Sequence, residues 1–270
     1  MTRGIRHSGF LALSAALALA AVWAFAPAAG AQQPAAKKKV LIVWGGWPGH
    51  QPKETVDVFA PWLAEQGFDV EISNSLDSYL DAEKLKGLSL IVQAVTMGTI
   101  TQEQERGLRN AVRGGVGLAG WHGGLADSFR SNTEYEFMVG GSFASHPGGI
   151  IDFTVNIVKR DDPIVKGLAD FKMRSEQYYM LLDPGVEVLA TTTFSGEHLA
   201  AIKGVVMPVV WRKLYGQGRV FNSTLGHVAS DFNVAEAKEI MKRGMLWAAR
   251  VPGAGDDPKP GNPFHSAAGR

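Results

Sequence analysis

Four of the seven histidines in this 270-residue chain stand in turns rich in glycine or proline: His50, His122, His146 and His227. Histidine titrates near neutrality and is both the commonest general base and the commonest metal ligand. Several such residues at strand ends can build an acid/base cluster or hold a divalent metal such as zinc. The residues alone leave both open. Glu176 can orient a histidine or serve as a second acid/base, so His122, His227, His50 and Glu176 form the candidate catalytic set. Trp47, Trp121 and Tyr178 flank the same turns, with Tyr179 adjacent, and aromatic faces beside polar groups are what a sugar stacks on. Together with His146, the first three form the candidate substrate-binding set. Each residue also has a plainer reading, as a satisfied loop histidine, a solvated carboxylate or a core aromatic. His198 beside Glu197 reads as surface, and Trp211 and Trp247 read as core.

The most pointed position is His122. Residues Gly114–Gly124 read GGVGLAGWHGG, a short apolar run that suits a buried parallel strand and is cut off by glycines. The spacing Gly120-x-His122-x-Gly124 is that of a nucleophile elbow, with histidine in place of Ser or Cys. Such a turn presents its central side chain at the carboxyl edge of a sheet, where open α/β proteins bind ligands. His122 is therefore expected to be exposed there. A glycine-rich tight turn carrying a surface histidine is the alternative.

The elements that must hold these residues follow from pattern. Val40–Trp44 (VLIVW) is apolar without a break and reads as a fully buried first strand. The loop GGWPGHQP ends it and carries Trp47 and His50. Pro52 opens a helix over Lys53–Gln66, with Val56, Phe59, Ala60 and Leu63 on one stripe and Pro61 expected to kink it. Strands are predicted at Phe68–Ser73 and Leu88–Ala94. Thr101 with Gln104 makes a capping box for a helix ending at Arg113. This alternation implies right-handed crossovers and a parallel sheet, with His50 and His122 on one edge.

Beyond Gly124, a short helix over Thr133–Gly140 and a second Gly/Pro-rich stretch around His146 lead to strands at Ile151–Val158, Glu187–Phe194 and Pro208–Lys213. Arg174–Leu181 reads as loop plus strand. Gly216-Gln217-Gly218 turns Pro208–Lys213 into Arg219–Leu225 as a hairpin, after which comes His227. Ala235–Arg250 closes the domain as an amphipathic helix.

Arg3 and Arg6, the apolar stretch from Phe10 to Ala26, and Ala29-Gly30-Ala31 read as a secretory signal peptide cleaved after Ala31. A retained anchor is the rival reading. The expected organisation is a signal at 1–31, a linker at 32–38, one domain at 39–251 and a disordered tail at 252–270. The expected location is periplasmic or secreted. The whole chain carries a formal charge of +1; losing Arg3 and Arg6 takes 27 basic residues to 25 against 26 acidic ones, a net of −1. Neither value supports nucleic-acid binding or electrostatic adhesion to a membrane, and homo-oligomer formation stays open. The absence of cysteine removes disulfides, thiolate nucleophiles and cysteine-type zinc sites. No GxGxxG follows a strand, and neither Walker A, HExxH nor G-x-S-x-G occurs, so no nucleotide cofactor is expected.

Taken in order, the pieces match a known pattern. They are Gly45-Gly46 with His50, Gly120-Trp121-His122-Gly123-Gly124, Gly140-Gly141-Ser142-Phe143 with His146-Pro147, and Asp162-Pro163-Ile164. After these come Glu176-Gln177-Tyr178-Tyr179, Pro208-Val209-Val210-Trp211, Gly218-Arg219-Val220-Phe221 and Leu225-Gly226-His227. On these the chain from Lys39 to about Val251 resembles the ThuA-like (trehalose utilisation) domain family. The resemblance implies a fold similar to class I glutamine amidotransferases: a flavodoxin-like, three-layer α/β/α domain with a mostly parallel sheet and an added hairpin. It also implies processing of trehalose and related disaccharides through 3-keto-glycoside intermediates. The partner is then a small carbohydrate, and the enzyme class a hydrolase or a lyase/isomerase. Amidotransferases need a cysteine at the elbow, where this chain has His122, so glutaminase chemistry is excluded. A non-catalytic periplasmic sugar-binding or accessory protein on the same scaffold is the alternative. Convergence separates the two: a catalyst needs His122, His227 and a third group within reach of one ligand atom. The expectation is that His50, His122 and His227 face one pocket, with His146 and Glu176 at its rim.

Overall fold

The unbroken apolar run of β1 (Lys39–Gly46) follows from what packs on each side of it. Val40 and Ile42 enter the core on one face of the sheet, while Leu41 and Val43 enter the core on the other. From Val40 to Val43 no position is left for a polar side chain. A computed structural model describes residues 1–2 and 37–258. The predicted signal from residue 3 onward, the linker up to residue 36, and residues 259–270 of the expected tail lie outside the described residues.

After β1, α1 (Pro52–Glu65) buries Val56, Phe59, Ala60 and Leu63 as its spacing predicts, and the helix continues through Pro61. Val56, Phe59 and Leu63 each contribute roughly 1.5–3 kcal/mol by leaving water. β2 (Asp69–Ser73), α2 (Ala82–Lys86) and β3 (Leu90–Thr96) follow. β3 ends later than predicted because Val95 and Thr96 still pair with Gly45 and Gly46 of β1. In α3 (Gln102–Arg113) the Thr101/Gln104 capping box is formed. β4 (Gly117–Trp121) leads through His122 into the short α4 (Gly123–Ala126), and α5 (Thr133–Val139) precedes β5 (Gly141–Ser145) and β6 (Ile150–Ile157). The segment predicted as loop plus strand is two strands, β7 (Phe171–Glu176) and β8 (Tyr179–Leu182), with Gln177-Tyr178 at the corner. β9 (Glu187–Thr193), β10 (Val206–Tyr215), β11 (Gly218–Ser223) and α6 (Ala235–Ala248) complete the chain order.

Nine strands form one sheet in the order β2-β1-β3-β4-β11-β10-β9-β6-β7. The first five are parallel. The predicted hairpin marks the switch, since β11 pairs parallel with β4 and antiparallel with β10. The antiparallel extension goes beyond that hairpin to β9, β6 and β7. α1 and α6 pack on one face and α3 and α5 on the other, which gives the three-layer α/β/α arrangement. β5 and β8 form a separate two-stranded sheet. Although β7 lies far from β4 in strand order, the hydroxyl of Ser175 donates to Asp231 Oδ2 at 2.6 Å, just beyond β11. The antiparallel flank therefore returns to the carboxyl edge of the parallel half. The first residues of the expected tail are held down: Trp247 Nε1 donates to the Asp256 carbonyl, and Arg219 and Arg250 both donate to Asp257.

Candidate functional site

Three loops at the carboxyl edge of the parallel half each deliver a histidine. His50 ends the turn after β1, and its Nδ1 lies 3.0 Å from Thr96 Oγ1 on β3. His122 follows β4 with φ 47° and ψ −136°, an unfavourable conformation for a residue with a Cβ that costs on the order of 1–3 kcal/mol. Two bonds to the chain after β11 hold it there. Its backbone N–H donates to the Ser223 carbonyl at 2.6 Å, and its Nδ1 lies 2.7 Å from the Thr224 carbonyl. A carbonyl only accepts, so Nδ1 carries the hydrogen. His227 is positioned through its backbone N–H, which donates to Asp231 Oδ2 at 2.9 Å. That same oxygen takes the Ser175 hydroxyl, and so joins the residue before Glu176 to the His227 loop.

Glu176 is at the centre of the cluster and not at its rim, which corrects the sequence expectation. Its Oε2 lies 3.1 Å from His122 Nε2, 3.2 Å from His227 Nδ1 and 3.7 Å from His50 Nε2. The three imidazoles also touch one another edge to face, with ring centroids 4.7–5.2 Å apart. His146 does stand at the rim, with a half-exposed side chain whose Nε2 is 3.7 Å from the other oxygen, Oε1. The elbow is present, but His122 is only 1% exposed and so contradicts the expectation of a free side chain. The corner between β7 and β8 covers it, with the Tyr178 ring centred 4.0 Å from the imidazole.

The aromatic candidates separate. Trp47 is exposed and meets His50 edge to face at 4.8 Å. Tyr178 is buried against His122 and Phe143. Trp121 is not brought into the cluster: it is buried against Phe59 and Phe232 in the core beneath α1. Tyr179 packs against Phe194, and His198 is exposed as expected.

Residues 39–248 match the family model ThuA, described as trehalose utilisation. The chain belongs to the ThuA family. No curated protein matches it. Among solved structures it is similar to a putative ThuA-like protein from Bacteroides uniformis, at 19% identity and a TM-score of 0.70, covering 84% of this chain and 98% of that one. A putative ThuA-like protein from Parabacteroides merdae matches at 19% identity and a TM-score of 0.62, over 79% of this chain and 90% of that one. A β-galactosidase from Bacillus circulans sp. alkalophilus matches at 14% identity and a TM-score of 0.50, over 78% of this chain and 30% of that one. At these identities the likeness is one of fold.

Electrostatics set the cluster's protonation in this ThuA-family domain. Burial dominates at His122 and, against the opposing hydrogen bond to Glu176, brings its pKa down to about 4. Burial works in the opposite direction on Glu176, but the His122, His227 and His50 rings gathered around the carboxylate outweigh it and hold the acid well below the usual range. His122 and Glu176 compete for one proton. With its single hydrogen directed at Thr224, a neutral His122 has none for Glu176, and the donor to the carboxylate at neutral pH is His227 Nδ1. Thr96, Thr224, Ser175 and Asp231 escape a motif reading. Thr96 and Ser175 act through hydroxyls and Thr224 through its carbonyl, and only Asp231, four residues after His227, leaves a local signal.

Between pH 6.5 and about 4 the unfolded chain binds a proton at His122 that the folded chain does not. Stability from this residue is therefore intact above pH 6.5 and falls with pH across that window, by about 2–3 kcal/mol at pH 4.5. Urea unfolding in the presence of a chelator should show this slope in the wild type and not in His122→Asn. Parallel profiles for the two proteins would refute the assignment.

Proposed function

We propose that this ThuA-family protein is an exported enzyme of carbohydrate metabolism acting on trehalose, a related disaccharide or a keto-glycoside. The single observation that carries the reading is convergence: three imidazole nitrogens from three separate loops lie within 3.7 Å of one carboxylate oxygen. Stacking a sugar requires no such arrangement, whereas moving a proton does. Glu176, ionised, is the base at the centre. His227 Nδ1–H donates to Oε2, and His146, on the open side next to Oε1, meets a substrate hydroxyl or the acidic carbon beside a keto group. His122 and His50 stand against the same oxygen from the buried side, and Trp47 offers its face to a sugar ring. A metal-assisted form of this chemistry draws on the same residues. Export rests on Arg3, Arg6, the apolar stretch and Ala29-Gly30-Ala31; the secreted protein is expected to begin at Gln32.

One observation favours a second reading, a non-catalytic sugar-binding or accessory role. Of the named residues only Trp47 is exposed and His146 half-exposed, which suffices for one stacking face and one hydrogen bond. The test is to incubate the secreted protein with trehalose, related disaccharides and their 3-keto derivatives, and to follow products by mass spectrometry. Turnover is expected, with Trp47→Ala raising KM roughly tenfold at nearly unchanged kcat, the scale of one lost stacking contact. Sugar binding by calorimetry without turnover of any of these compounds would leave the binding role and overturn the enzyme.

A further inference from the structure

We infer that His50, His122, Glu176 and His227 together hold one divalent transition-metal ion. The inference rests on the same cluster as the proposed carbohydrate chemistry, yet it is tested without a sugar. One donor atom from each of the four residues can be chosen so that all lie within 4.8 Å of one another. Three of the separations are short: 3.1 Å from His122 Nε2 to Glu176 Oε2, 3.2 Å from His227 Nδ1 to the same oxygen, and 3.3 Å between His227 Nδ1 and His122 Nε2. Metal–nitrogen and metal–oxygen bonds of about 2.0–2.2 Å place the donors of one ion about 3.0–3.6 Å apart. His122, His227 and Glu176 already have the spacing of a coordination shell, and His50 Nε2, 3.7 Å from Glu176 Oε2, stands just outside it.

The hydrogen inventory points the same way. His122 spends its ring hydrogen on the Thr224 carbonyl, so its Nε2 presents a bare lone pair to the Glu176 carboxylate at 3.1 Å. Even if His227 Nδ1–H is shared between those two acceptors, they still face each other with nothing positive between them. A buried contact of this kind is repulsive and costly, and a cation at the centre makes all of it attractive. The outer nitrogens are arranged as metal ligands require. His122 Nδ1 is fixed by a backbone carbonyl and His50 Nδ1 by the Thr96 hydroxyl, which direct each Nε2 inward. Three imidazoles with a single carboxylate suit zinc, manganese, iron, cobalt or nickel, and are too rich in nitrogen for magnesium or calcium. His146 Nε2, 3.7 Å from Glu176 Oε1 and half exposed, stands on the open side, where a water or substrate oxygen would enter.

The experiment uses the secreted chain without a histidine tag, stripped with chelator and titrated with Co2+ and Zn2+. One equivalent of Co2+ is expected to saturate the visible d–d absorption of a nitrogen-rich site, and Zn2+ to displace it one for one. Loss of an outer-shell partner costs about ten- to a hundredfold in affinity, so loss of a direct ligand in Glu176→Gln or His227→Ala should cost at least the upper figure. Circular dichroism establishes that each variant is folded. If either variant unfolds, Thr96→Val provides the reading, because it removes only the partner of His50 and is expected to weaken Co2+ by about tenfold or more. Absence of a saturable one-equivalent site, or unchanged affinity in the folded variants, overturns the inference. A metal-binding protein that turns over no sugar would sink the proposed function alone, and sugar turnover by a protein that binds no metal would sink this inference alone.

Discussion

His122→Asn is expected to fold and to lose at least about a hundredfold in turnover, the scale of losing a positioned acid/base or its support. Asparagine is the informative substitution because its Nδ2 falls where the imidazole Nδ1 stands. The bond to the Thr224 carbonyl, 2.7 Å in the wild type, can therefore be kept. Asparagine also tolerates a positive φ better than most residues with a Cβ, and position 122 requires φ 47°. What it cannot supply is the Nε2 that faces Glu176 Oε2. The loss of packing against Tyr178 should cost about 1–2 kcal/mol, a few degrees in Tm for a domain of this size. His122 is nearly solvent-inaccessible, so it acts through Glu176 and not on the substrate directly. The loss should accordingly appear in kcat with KM little changed, and Co2+ affinity should fall with it. A folded His122→Asn protein with near-wild-type kcat would eliminate any role for the elbow in chemistry.

Much of the site is legible in the sequence because three of its four members obey a local rule. His50, His122 and His227 each follow a strand of the parallel half, and parallel strands bring their carboxyl ends to one edge. Glu176 is not legible in that way. It ends a strand of the antiparallel flank, and it reaches His122, 54 positions away, only because β7 returns over the edge. No spacing rule encodes a bend that depends on how β9, β6 and β7 pack. The burial of His122 is illegible for the same reason, since its cover is the remote β7–β8 corner. Trp121 is a different case, where a local signal was available. Along β4, Ala119 and Trp121 share one face, and both lie in the core that α1 and α6 cover. Strand parity alone would have directed Trp121 away from a binding site. The extent of the antiparallel extension follows the same division, with the β10–β11 hairpin readable from its Gly-Gln-Gly turn and the pairing partner of β6 not.

Gly124→Ala is expected to cost at least about 3 kcal/mol of folding free energy, at the upper end for an overpacked site. A Cβ built on Gly124 would stand 2.7 Å from Ala94 Cα and 3.2 Å from the Ala94 carbonyl carbon. Both are backbone atoms of β3, in the middle of the sheet, and neither can swing aside as the end of a side chain does. α4 would have to retreat from β3, and His122 caps α4, with its carbonyl accepting from the Ala126 N–H at 2.9 Å. Retreat of the helix therefore carries the imidazole away from Glu176, so stability and site geometry fail together. The elbow glycine is thus required by the close approach of two backbones, a reason independent of any reactive group. Gly87→Ala is the matched control, with φ −82° and no neighbour nearer than the Lys84 carbonyl at 3.4 Å. It should be neutral, or stabilising by up to about 1 kcal/mol, since alanine reduces the freedom of the unfolded chain. Guanidinium unfolding of the two variants reads the difference directly. A gap of less than about 1 kcal/mol between them would mean that α4 can lift from the sheet at little cost, and that the elbow does not hold His122 as rigidly as its contacts require.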